Sequence, residues 1–167
     1  HTWTLQEGPN QGLGVDTGFI VCNNWTYPNF HRFVKALDVP IRDTDMSFGY
    51  YSELSNLQYA GTDLNGLLAQ RMNLFKPSFI RLVKDFLKFN SLGQKMISTG
   101  ELPTGSLRDL LDEHHFSDDF IHDYLVPMGG AIWSSSNDDI LGFPASLFLR
   151  FFKNHGLLNT VKRPIWQ

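Results

Sequence analysis

The sequence predicts an α+β fold, a mostly helical lobe carrying a small antiparallel sheet. Three observations predict it. Extended runs punctuated by turn residues, with one short helix among them, make up the first 60 positions, and from Asp63 onward apolar residues recur at spacings of three and four. Strands and helices therefore come in blocks, without the alternating β-α-β units of a parallel sheet.

Thr2 to Leu5 and Val15 to Cys22 are bulky or β-branched runs on either side of a turn cluster, Glu7-Gly8-Pro9-Asn10-Gln11-Gly12, and could pair as a hairpin. Asn29 is placed to cap a short helix with Phe30, Phe33, Val34 and Leu37 on one face, stopped by Val39-Pro40. Met46 to Tyr51 and Leu57 to Ala60 read as two strands around a Ser52–Asn56 turn. Asp63 then caps a helical run through Leu64, Leu67, Leu68 and Met72. Pro77 opens the strongest helix, with Phe79, Leu82, Val83, Phe86 and Leu87 as its stripe. Ser106 with Asp109 forms a capping box, and Ser117 caps a helix carrying Phe120, Ile121, Tyr124 and Leu125 that Pro127 is expected to end. Ser134 to Asn137 read as a loop. The last helix, Pro144 to His155, is apolar on most of its circumference and stops at Gly156.

Of 167 residues, 42% are hydrophobic and 19% charged, which suits a packed core rather than disorder. With a net charge of −3 and Lys and Arg scattered along the sequence, a nucleic-acid-binding face is not expected. No run approaches the roughly 20 apolar residues needed to span a bilayer. A lone cysteine, Cys22, excludes an internal disulfide and fits a reducing, cytoplasmic setting.

Short motifs carry little chemistry. Gly12, Gly14 and Gly18 are mis-spaced for a dinucleotide loop, with no helix to follow them. His114, His115 and His122 with Asp118, Asp119 and Asp123 read as a solvated acidic face, and no metal site is assigned. Neither Ser134-Ser135-Ser136 nor Cys22 has the setting of a nucleophile. No catalytic residue stands out. The aromatic and sulfur side chains Phe48, Tyr50, Met128 and Trp133 sit in or beside loops and strands, where they could line an apolar cavity.

A longer pattern is more specific. Val15-Asp16-Thr17-Gly18-Phe19-Ile20-Val21 followed by Asn23 and Thr26-Tyr27-Pro28-Asn29-Phe30, then Asp45-Met46-Ser47-Phe48, Leu64-Asn65-Gly66-Leu67 with Gln70-Arg71, Tyr124-Leu125-Val126-Pro127-Met128-Gly129, Ala131-Ile132-Trp133-Ser134, Phe143-Pro144-Ala145 and Phe148-Leu149-Arg150-Phe151-Phe152 through Asn154-His155-Gly156-Leu157-Leu158 resemble, in order, FAD-dependent amine-oxidase-like flavoproteins. The resemblance covers nearly the whole chain. It implies a stretch beginning just after the nucleotide-binding loop, with residues 1–28 as strands adjoining the flavin-binding domain and 29–167 as a mainly helical substrate-side domain.

The resemblance further implies an FAD-dependent oxidoreductase related to amine oxidases and desaturases, moving a hydride from a C–N or C–C bond to flavin. It sets His1, Thr2, Asp16, Thr17 and Gly18 near FAD and Phe48, Tyr50, Met128 and Trp133 against a small apolar or amine-containing substrate. Because the phosphate-cradling loop is missing, the chain alone is expected to bind little FAD and to be inactive, with self-association through uncovered surfaces. Two other classes remain open on the residues themselves: a helical module that binds an apolar ligand, and a protein-interaction domain, neither with a redox role.

Overall fold

The computed structural model describes residues 2–16, 22–44, 46–61, 70–159 and 164–167. The chain is α+β and mostly helical, with two small antiparallel sheets of two strands each. It divides into two compact units, His1–Asp45 with Pro164–Gln167, and Met46–Arg163.

In the first unit, β1 (Thr2–Thr4) pairs with β2 (Gly14–Asp16) in the register Thr2 to Asp16, Trp3 to Val15 and Thr4 to Gly14. The turn cluster supplies the reversal, with Gly8 and Gly12 at positive φ. Residues 17–21, the middle of the expected second strand, lie outside the described residues. Cys22 instead exchanges backbone hydrogen bonds with Gln167, N–H to O at 2.7 and 2.8 Å. Helix α1 (Pro28–Ala36) starts one residue before the expected cap: Tyr27 is the N-cap, without a side-chain bond, and Pro28 takes the first turn. Proline fits there because its ring pre-sets φ and no N–H is lost, so Asn29 is inside the helix. Of the expected apolar face only Val34 is buried; Phe33 is 60% exposed.

The second unit holds the core. β3 (Gly49–Ser52) and β4 (Leu57–Ala60) form a hairpin whose inward residues are Tyr50, Leu57 and Tyr59. The expected helix from Asp63 through Leu64, Leu67 and Leu68 falls outside the described residues; Met72 lies in a 3-10 turn, Arg71–Phe75, and is exposed. Helix α2 (Pro77–Thr99) buries Phe79, Leu82 and Phe89, but Leu87 points to solvent, so its stripe is narrower than the apolar spacing implies. Helix α3 (Leu107–Glu113) begins at the Ser106–Asp109 capping box, with Asp109 Oδ2 accepting from Ser106 N at 2.8 Å.

Helix α4 (Asp118–Phe120) is capped by Ser117 and runs on through a π turn, Ile121–Leu125, into α5 (Val126–Trp133). Pro127 therefore does not end the helix. The π turn, closed by Val126 N–H to the Ile121 carbonyl, widens the backbone where proline removes the next donor. Residues expected to be a loop open α6 (Asn137–Gly142), because Ser136 accepts from Asp139 N–H as its cap. Helix α7 (Ala145–Asn154) buries Phe148, Leu149 and Phe152 and ends before Gly156 at φ 70°.

These helices enclose a phenylalanine-centred core. Phe89 is 1% exposed and lies 5.6 to 6.4 Å, centroid to centroid, from Phe116, Phe120, Phe148 and Phe152. Tilted and edge-on geometries of this kind add about 0.5–1.5 kcal/mol per pair to the area term. Gly129 permits a close approach in this core, since a Cβ there would stand 2.8 Å from Ile140 Cγ2. A smaller cluster of Leu57, Tyr59, Phe79 and Leu82 lies under the β3–β4 hairpin, and Tyr124 packs against both clusters.

Candidate functional site

Two sets of residues carry the functional expectation, and they lie in different units. In the first set, antiparallel pairing brings Thr2 directly opposite Asp16, although 13 residues separate them in sequence. His1, Thr17 and Gly18 lie outside the described residues, but they continue the chain from these two positions. The segments that the resemblance assigns to the flavin thus leave the same end of one hairpin. No further strand among the described residues pairs with either edge of that hairpin.

The second set divides between the two core clusters. Phe48 and Tyr50 pack on the hairpin side, their rings 6.4 and 5.3 Å from Tyr59. Met128 and Trp133 are half-buried against the larger cluster, where Trp133 stacks on Phe143 at 5.3 Å and lies 4.8 Å from Phe151. An open depression of about 270 Å³ on the hairpin is lined by Gly49, Tyr50, Tyr51, Gln58, Tyr59 and Ala60. Of the four expected wall residues, Tyr50 alone lines it.

Where Tyr50 and Tyr59 meet the helices, the structure builds a polar centre on Asp123. The Tyr50 hydroxyl donates to Asp123 Oδ1 at 2.7 Å and the Ser55 hydroxyl to the same oxygen at 3.2 Å. The Tyr59 hydroxyl donates to the Asp123 backbone carbonyl at 2.6 Å. That carbonyl lies four residues before Pro127, so the i+4 N–H of a regular helix is missing, and the Tyr59 hydroxyl supplies a donor. Burial, with the Asp123 carboxylate as acceptor, pushes the Tyr50 phenol up to about 12; burial also pushes Tyr59 upward. Both phenols stay neutral donors at physiological pH.

Asp123 was expected on a solvated acidic face; instead it is half-buried and tied to the hairpin. Its neighbour Asp119 pairs with Arg81 at 2.6 Å. The missed signal is the proline: a Pro inside a helical pattern frees the carbonyl four residues back, and a buried carbonyl needs a donor. Another polar centre forms at Asp85, 8% exposed, whose Oδ2 accepts from Ser117 N–H at 2.9 Å and Ser117 Oγ at 2.6 Å.

Compared with protein-family models, with curated proteins and with solved structures, the chain matches none. Among the described residues no helix is long and apolar enough to cross a membrane.

Proposed function

We propose that this chain is the substrate-side part of an FAD-dependent oxidoreductase of the amine-oxidase and desaturase type. When bound, the flavin supplies the redox chemistry, accepting a hydride from a C–N or C–C bond. The chain's part is to orient a small apolar or amine-containing substrate and to keep water away. Thr2 and Asp16, with the adjoining His1, Thr17 and Gly18, would lie toward the flavin, and Phe48, Tyr50, Met128 and Trp133 toward the substrate. A free, buried Cys22 fits a cytoplasmic protein.

The supporting observation is the register of the first hairpin. Two segments linked to flavin only by resemblance come side by side at Thr2 and Asp16. The ribbon also lacks a packed face, with Trp3 and its cross-strand partner Val15 exposed on one side and Thr2 and Thr4 exposed on the other. A two-stranded ribbon without a packed face is marginal in water, as expected of strands that another domain covers. The test is the visible spectrum of the natural full-length protein. Oxidised flavin that bleaches anaerobically with an amine or a desaturable substrate is expected, and a protein left colourless after reconstitution with FAD overturns the reading.

A further inference from the structure

Six of the fourteen Lys and Arg residues fall between positions 71 and 95, against a single acid, Asp85, which is buried. The remainder of the sequence is correspondingly acidic. The helical period stacks Ile80, Lys84, Leu87, Ser91 and Lys95 into one outward stripe of α2, and every one of them is exposed. Arg81 and Lys88 flank it. The 3-10 turn that leads into this helix exposes Met72, Leu74 and Phe75, the last at 78%. Arg81 is matched by Asp119, whereas Lys76 and Lys88 bond the uncharged carbonyls of Asn56 and His114, Lys88 also lying 4.5 Å from the centroid of the Phe116 ring, so that no acid among the described residues neutralises either charge. Lys84 and Lys95 form no ion pair among the described residues.

We propose that this face, the Arg71–Phe75 turn with the outer stripe of α2, docks on an anionic bilayer surface. Large apolar side chains interleaved with cations are what an interfacial element needs. The apolar groups enter the acyl boundary, while the cations meet the headgroups. Other occupants fit less well. A second copy docked symmetrically would bring two faces of the same positive charge together, and a nucleic-acid backbone offers nothing for Met72, Leu74, Ile80 and Leu87 to bury. The proposal does not rest on the flavin reading.

The test is co-sedimentation of the 167-residue chain with phosphatidylcholine vesicles, and with vesicles in which roughly a third of the lipid is phosphatidylglycerol. Binding to the anionic vesicles, weakened by added salt and slight on neutral ones, is expected. Lys84→Gln with Lys95→Gln should weaken it by roughly 25-fold, about fivefold per cation. Phe75→Ser should weaken it about tenfold with the far-UV circular dichroism unchanged; Leu74→Ser serves as a second apolar variant should the first misfold. The proposal is overturned by equal binding to both vesicle types, by binding that ignores these substitutions, or by capture of duplex DNA or a homodimer with no vesicle binding.

Discussion

Phe33 and Phe89 are the same side chain on amphipathic helices, yet one is 60% exposed and the other 1%. The difference lies in what each unit supplies around them. In Met46–Arg163, Phe89 is ringed by four phenylalanines from three further stretches of helix and loop, so burial is collective and the core closes on itself. In the other unit α1 buries only Val34, and the β1–β2 ribbon leaves Trp3 and Val15 in solvent. An apolar stripe fixes which face of a helix wants burial; only the supply of partners decides whether burial happens. The largest contrast should therefore come from truncating the two rings. Phe89→Ala is expected to destabilise by about 3–5 kcal/mol in urea unfolding and Phe33→Ala by less than about 0.5 kcal/mol. Similar losses at both positions would abolish the distinction.

Polar anchoring sharpens the same contrast at a smaller scale. Asp85 accepts two hydrogen bonds from Ser117 while nearly buried, so Asp85→Ala should cost about 2–3 kcal/mol and Asp85→Asn, which keeps an acceptor, less. Equal losses would assign the effect to packing rather than to the bonds. Alkaline titration probes the hairpin. Tyr50 has its phenol raised from the ordinary 10.0 to about 12, so the folded state favours the neutral form. That contribution is fully present below about pH 10 and is lost as pH rises toward 12. The urea midpoint should therefore fall more steeply over this interval in the natural sequence than in Tyr50→Phe, and parallel curves would refute it.

The sequence made the second unit largely legible because its signals are local. The Ser106–Asp109 box, the Ser117 cap, Pro77 in the first turn and Gly156 beyond the last all act within four residues, and each stands where its spacing places it. Ser136 was legible by the same rule, but a run of serines reads first as a loop. The candidate site was less so. Asp123 looks solvated in a stretch rich in Asp and His, and its partners Tyr50, Ser55 and Tyr59 lie more than 60 positions away. Likewise Lys84, Lys88 and Lys95 look scattered until a helical period aligns them.

The π turn offers the finest test, because it separates a helix broken by proline from one that proline and the hairpin hold together. Asp123 O receives the Tyr59 hydroxyl at 2.6 Å, and Pro127 cannot donate to it. Tyr59→Phe leaves a carbonyl without that donor and should cost about 1 kcal/mol. Pro127→Ala returns an N–H at the position from which a regular helix would bond this carbonyl. In the Pro127→Ala background the hydroxyl is then partly redundant, and Tyr59→Phe should cost less by about 0.5 kcal/mol or more, the coupling read from a double-mutant cycle in urea. Strict additivity would mean that Tyr59 steadies the hairpin by its ring alone, and that the helix passes Pro127 without help from the second strand.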